Sequence, residues 1–221
     1  MRCAECQRSF HPLRADAVTC STRCRVARYR RLKATTPPWP AGTYDLVMVD
    51  LPLRWVGYST KGEGRSPQRH YDTMDVPGLI AWRPMVEAFT AKNSAFAFWV
   101  YGPRLPDTLR VIEGWGLTYK SELLTWRKTG WRRFGGGKTT RKSVENVWLA
   151  TRGKGLPIRD HGVDQFFETP RGEHSEKPEE AYRRLERRYG NVRRLDLFAR
   201  LVRRGWTAWG NQVEIDLLSA L

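Results

Sequence analysis

The sequence predicts an α/β protein, a mostly parallel sheet flanked by helices with a small cysteine-rich module in front. Three observations predict it. From residue 44 onward, short buried-strand patterns alternate with helical ones, as they do when helices cross over between parallel strands. Two apolar segments carry a carboxylate at their ends, Asp50 and Asp196, and strand ends of such sheets are where α/β enzymes collect their chemistry. All four cysteines fall within the first 24 residues, apart from everything else.

The 221 residues suit one domain plus an appendage, and with 40% hydrophobic and 28% charged residues they can bury a substantial core. No apolar run approaches the roughly 18 residues of a membrane span, and the amino terminus lacks a signal-peptide apolar region. The expectation is a cytoplasmic protein with no membrane partner. Thirty-nine Lys and Arg against 23 Asp and Glu leave a net charge of +16. That excess points to a polyanionic partner, nucleic acid above all. Ten tryptophans add surfaces that stack on bases, or fill the core.

The first module, residues 1–34, has the pattern Cys3-x2-Cys6, then a loop, then Cys20-x3-Cys24. Two close pairs separated by a loop place four thiolates around one ion, so Cys3, Cys6, Cys20 and Cys24 are candidate zinc ligands. His11 lies between the pairs and is a bystander once four thiolates complete the site. Residues 25–33 read as a helix carrying Arg25, Arg28, Arg30, Arg31 and Lys33, which the metal would aim at a phosphate backbone. A solvated helix face or a protein-docking knuckle is the alternative. Residues 35–43, with Thr35-Thr36-Pro37-Pro38-Trp39-Pro40, form a stiff linker to the main domain, residues 44–221.

Along that domain, 44–50 is a buried strand ending in Asp50, followed by Leu51-Pro52-Leu53-Arg54-Trp55 and a polar loop to His70-Tyr71-Asp72-Thr73-Met74. Residues 76–91 read as a helix, 94–100 as a second buried strand, 107–114 as a helix, and 117–126 and 144–150 as further strands. The last third runs His174-Ser175-Glu176-Lys177-Pro178, a basic helix, Leu195-Asp196-Leu197-Phe198-Ala199-Arg200, and Trp209-Gly210-Asn211-Gln212. A carboxylate-bearing strand, a turn and a second strand ending in Gly-Asn-Gln form a nucleotide-sized pocket at a sheet edge.

These motifs, in this order, resemble the MT-A70-like family of S-adenosylmethionine-dependent adenine-N6 methyltransferases of prokaryotic or phage type. The resemblance covers residues 44–213 and implies a Rossmann-like methyltransferase fold with permuted motif order, the catalytic carboxylate preceding the donor-binding segment. The family supplies Asp-Pro-Pro-Trp, an aromatic two positions on, and a later His-Tyr-x-Thr-Met element. Here Asp50 and Pro52 match, leucines stand at positions 51 and 53, Trp55 takes the second aromatic place, and residues 70–74 match the later element. The exocyclic nitrogen of adenine is conjugated into its ring and a poor nucleophile. A carboxylate accepting its hydrogens tilts lone-pair density towards the methyl donor.

By the resemblance, Asp50 orients the amino group, Pro52 shapes the turn, and Trp55 with Tyr71 brackets a base withdrawn from its stack. Lys177 would neutralise the donor's carboxylate, Arg200, Asn211 and Gln212 would contact its ribose, and Asp196, Leu197 and Phe198 would line the strand end beside it. Lys128, Arg132, Arg133 and Lys138, interleaved with Trp126, Trp131 and Phe134 around Gly135-Gly136-Gly137, read as a mobile clamp on nucleic acid. Gly137-Lys138-Thr139 is no phosphate-binding loop, because Arg132 stands where that motif needs glycine. Arg183-Arg184 and Arg187-Arg188 extend the positive surface or form an ordinary solvated helix face. The expected function is DNA adenine-N6 methylation. The alternatives are an inactive nucleic-acid-binding relative, and transfer to RNA or to cytosine N4.

Overall fold

The computed structural model describes residues 3, 6–11, 20–24, 27, 41–53, 73–130, 140, 143–172 and 176–210. Among these, seven strands form one sheet in the order β5-β3-β4-β2-β1-β6-β7. They are β1 (Tyr44–Val49), β2 (Thr90–Val100), β3 (Thr118–Thr129), β4 (Val144–Arg152), β5 (Phe166–Pro170), β6 (Arg194–Leu197) and β7 (Thr207–Trp209). Every neighbouring pair is parallel except the two that β4 makes, with β2 and with β3. The mostly parallel, Rossmann-like sheet anticipated from the alternating patterns is present.

Among the described residues four α-helices flank it: α1 (Val76–Ile80), α2 (Arg83–Phe89), α3 (Leu105–Gly114) and α4 (Glu179–Tyr189). The pleat sends alternate residues to opposite faces, and both faces are covered. Val47, Val49, Phe96, Phe98 and Leu197 pack with α1, α2 and α3 residues such as Leu79, Val86 and Val111. Leu46, Met48, Ala97, Trp99 and Val147 pack with Ala181, Tyr182, Leu185 and Tyr189 of α4. Double coverage explains why β1 and β2 read as unbroken apolar runs rather than as alternation.

The single helix expected over 76–91 is two. Pro84 stands at the start of α2, where its fixed φ and missing N–H suit a first turn but would break a continuous helix, with Trp82 at the N-cap position. Asp75 caps α1 by accepting from the Gly78 N–H at 2.9 Å. Strand β2 starts at Thr90, earlier than its apolar run, because Thr90 already pairs with Tyr44 of β1. Strand β5 went unread: only Phe167 of its five residues is buried, so it carries no apolar run.

The chain moves to one side of β1 through α1 and α2 to reach β2, and to the other side from β6 to β7. The order of strands therefore reverses between β1 and β6, and an open α/β sheet binds ligands beyond the carboxyl ends of its strands at such a reversal. Asp50 follows β1 there, and Asp196-Leu197-Phe198 closes β6.

Candidate active site and cysteine cluster

Register places the two segments side by side. Val49 lies opposite Leu197, and the Asp50 N–H points at the Leu197 carbonyl oxygen at 3.4 Å. Beyond β1 the chain is held by Met74, whose N–H donates to the Pro52 carbonyl at 2.8 Å, with Leu53 bridging Met74. Strand-end carboxylate and later Thr73-Met74 element, distant in sequence, thus adjoin. Leu51 and Leu53 pack on the core beneath α1–α3. Trp55 and Tyr71 lie outside the described residues.

On the α4 face the edge is a charge network. Lys177 sends its Nζ to Glu145 Oε2 at 3.0 Å and lies 3.5 Å from Asp50 Oδ1. Lys128 pairs with the other oxygen of Glu145. Arg200 Nη2 approaches Asp50 Oδ2 at 3.9 Å. Beneath Lys177 lies the Trp99 ring, its centroid 4.9 Å from the ammonium, a cation–π contact within a desolvated setting. Burial alone pushes Glu145 up, yet Lys177 and Lys128 outweigh it and hold the carboxyl at about 2. Burial likewise opposes the charge on Lys177, and Asp50 and Glu145 outweigh it, so its pKa lies above the usual lysine range. Trp99 Nε1 and Asn146 Oδ1 are buried at this edge without a hydrogen-bond partner among the described residues.

A second cluster fixes β6. Asp196, buried, accepts from the Tyr182 hydroxyl at 2.9 Å and from Arg203 Nη1 at 3.3 Å. Burial is the largest influence on its carboxyl and carries it to about 7 despite those donors. Leu197 turns to the opposite face and is fully buried. Phe198 ends the strand at φ 66, a left-handed conformation that costs a non-glycine residue about 1–3 kcal/mol. The strain is held by packing: its ring stacks on Trp82 at 5.1 Å and meets Trp209 edge-on at 6.2 Å, while the Ala199 N–H donates to the Trp209 carbonyl at 2.9 Å. Gly210 is required there, since a Cβ would collide with the Ala199 carbonyl oxygen. Asn211 and Gln212 follow outside the described residues.

Among the proposed donor-binding residues, Lys177, Asp196, Leu197, Phe198 and Arg200 are thus brought to one edge beside Asp50. Glu145, Trp99, Tyr182, Arg203 and Trp82 join them without having been singled out from the sequence. Lys128 sits on β3, where its ammonium pairs with Glu145. The anticipated basic face of α4 is partly spent too, with Arg184 bonded to Glu180 and Arg187 to Asp160. Arg25, Arg28, Arg30, Arg31, Arg132, Arg133 and Lys138 lie outside the described residues.

The four cysteines form a separate cluster whose sulfurs all lie within 4.8 Å of one another. Cys20 Sγ is 3.5 Å from Cys6 Sγ and 3.6 Å from Cys24 Sγ. A tetrahedron with metal–sulfur bonds of about 2.3 Å has edges near 3.8 Å, so the donor set fits one ion. Local structure prepares it: Gln7, at φ 60, turns the chain after Cys6, and Ser21 Oγ caps the helical residues 22–24 by accepting from the Cys24 N–H at 3.2 Å. The Cys20 N–H reaches Cys3 Sγ at 3.3 Å, a donor suited to stabilising a thiolate.

The MT-A70 family model matches residues 44–212. The type II methyltransferase M.MunI of Mycoplasma sp is 29% identical over 136 residues, covering 59% of this chain and 57% of its own length. An N(6)-adenosine-methyltransferase MT-A70-like protein of Arabidopsis thaliana is 28% identical over 179 residues, covering 78% of this chain and 24% of its own. A probable counterpart in Oryza sativa matches equally, over 23% of its length. The chain therefore spans little more than half of the Mycoplasma relative and about a quarter of the plant ones.

Proposed function

Because the chain belongs to the MT-A70 family of methyltransferases, we propose that it transfers a methyl group from S-adenosylmethionine to the N6 amino group of adenine in DNA. The observation that carries this is the adjacency of Asp50 to the end of β6, with Lys177 and Arg200 both reaching the Asp50 carboxylate. A carboxylate at the reversal of strand order, beside two cations and an aromatic wall, suits an amino acceptor on one side and a carboxylate-bearing donor on the other.

Bound S-adenosylmethionine supplies an electrophilic methyl on a sulfonium. The protein's share is positioning and electrostatics. Asp50 accepts the amino hydrogens of adenine, Pro52 shapes the turn, and Trp55 and Tyr71 bracket the base. Lys177 and Arg200 hold the donor's anionic and ribose groups with Asn211 and Gln212, while Asp196 and Phe198 flank the strand end on its two faces and Leu197, buried, adjoins through its backbone. Leu51 and Leu53 serve the core, which leaves stacking to Trp55 and Tyr71.

The cysteine cluster holds zinc in this reading and braces the basic segment that carries Arg25, Arg28, Arg30 and Arg31 against the phosphate backbone. Arg132, Arg133 and Lys138 add further cations for the same backbone. The net charge of +16 supports a polyanionic substrate. No helix among the described residues is long and apolar enough to cross a membrane.

The plant relatives favour a second reading. Their names specify adenosine, the ribonucleoside, and they align over 78% of this chain, so RNA is the alternative acceptor. One experiment separates the two. Purified protein is incubated with tritiated S-adenosylmethionine and either unmethylated genomic DNA or total RNA, and the digested nucleosides are resolved by mass spectrometry. N6-methyldeoxyadenosine is expected. N6-methyladenosine alone moves the acceptor to RNA, N4-methyldeoxycytidine moves it to another base, and no methylated nucleoside from either polymer overturns the enzymatic reading.

A further inference from the structure

We infer that Arg203 is a positioning residue for Lys177, the clasp that fixes this lysine against the end of β6. The inference rests on the donor-binding reading of Lys177 given above. Residues 176–178 belong to no helix or strand, so the Lys177 backbone must be placed by other means. Arg203 supplies them. Its Nη2 donates to the Lys177 carbonyl oxygen at 3.0 Å, its Nη1 to Asp196 Oδ2 at 3.3 Å, and its Nε to Glu179 Oε2 at 3.2 Å. The guanidinium carbon lies 4.0 Å from the centroid of the Tyr182 ring, and only 9% of the side chain is exposed.

Three donors of one rigid fork thus join a strand end, a helix start and an irregular segment. Asp196 is fixed by the sheet, and Tyr182 by α4 packed on it, so the guanidinium transmits the position of the sheet edge to Lys177. A lysine at 203 could not reproduce this, because its single ammonium on a flexible stem cannot engage three divergent acceptors in a fixed plane. With the carbonyl of Lys177 held, its ammonium reaches two carboxylates, 3.0 Å from Glu145 and 3.5 Å from Asp50. Without the clasp, the ammonium keeps its charge and loses its location.

The test is a double-mutant cycle on the full chain, read by calorimetric binding of S-adenosylmethionine. Arg203→Met, which keeps the stem and removes the fork, should weaken binding about tenfold or more, and Arg203→Lys should do nearly as badly. Lys177→Met should weaken it comparably, and the double variant should bind no worse than Lys177→Met alone, because Arg203 acts through that residue. Wild-type affinity in Arg203→Met, or losses that multiply in the double variant, overturns the inference. If Arg203→Met loses cooperative melting, Arg203→Lys carries the cycle. If both unfold, Arg203 is a structural residue and the inference falls. Absence of binding by the wild-type chain itself would overturn the donor-binding reading, a result distinct from wild-type binding with insensitive variants.

Discussion

Replacing Glu145 with glutamine leaves Lys128 and Lys177 sharing a neutral amide, and the cost follows from the electrostatics of the site. The glutamate is held at about 2 against an ordinary 4.5. With each factor of ten in acidity worth about 1.4 kcal/mol, the charged form contributes about 3 kcal/mol at neutral pH. Removing one partner of a buried ion pair costs about 3–5 kcal/mol. The Glu145 side chain is 19% exposed and Lys177 12%, which favours the low end of that range. A carboxyl with a depressed folded-state pKa contributes in full above its unfolded value and loses the contribution as pH falls towards the folded one. The gap between wild type and Glu145→Gln should therefore be about 3 kcal/mol at pH 7, begin to close below about pH 5, and be about half by pH 3. In a chain of this size that corresponds to a lowering of Tm by about 6–12 °C at pH 7. Urea denaturation of both proteins at pH 7, 5, 4 and 3 measures it. A gap under about 1 kcal/mol at pH 7, or one that stays constant down to pH 3, would refute the assignment of Glu145 as a charged bridge between the lysines.

Asp50→Ala should lower methyl transfer by about 10²–10³-fold or more while leaving nucleic-acid affinity within a small factor, as steady-state transfer and fluorescence anisotropy would show; unchanged turnover would remove Asp50 from the chemistry. Asp196 carries the opposite linkage to Glu145. Its carboxyl is raised to about 7, so the folded state binds its proton more tightly than the unfolded chain, and that stabilisation is lost as pH rises from about 4 to about 7. The stability of Asp196→Asn relative to wild type should accordingly improve between pH 5 and pH 8 in thermal melts. Zinc analysis of the purified protein should give one ion per chain, and stripping it with a strong chelator should weaken nucleic-acid binding without lowering the melting temperature of the sheet domain. A stripped protein that binds nucleic acid as before would detach the cysteine cluster from that task.

Elements with a strong local cause were legible. Strand β1 and its carboxylate announce themselves because both faces of the strand are buried, and the cysteine spacing announces a tetrahedral donor set. Strand β5 did not, because an edge strand with one buried residue has no pattern to detect. The split between α1 and α2 depended on weighing Pro84 against a long apolar periodicity, and the missing N–H won. Site partners were hardest. Glu145 sits on β4 in Val144-Glu145-Asn146-Val147-Trp148, where a lone carboxylate in a half-buried strand was the available signal. Lys128 was read by its neighbours in the chain as part of a clamp, whereas its partner Glu145 stands across the β3–β4 pairing. Nothing local to Arg203 shows that it reaches Lys177, since 26 residues and a helix separate them.

That separation is also what makes the arrangement function as a unit. The Asp45 side chain accepts from the Arg193 N–H at 3.0 Å, 148 positions along the chain, and so aligns the starts of β1 and β6. Correct alignment at the starts fixes which residues meet at the ends, because a slip of one residue in a parallel pair would send Asp50 or Asp196 to the opposite face. Both carboxylates now sit on the α4 face with the cations, while Leu51, Leu53, Phe198, Trp82 and Trp209 gather on the other. Charged groups therefore border the edge on one face and apolar ones on the other. A donor that combines charged amino-acid groups with a flat aromatic base needs both, and so does an acceptor base whose amino group must be polarised while its ring is stacked. The order of the motifs along the chain is then immaterial, because strand register, and not sequence order, assembles the two borders.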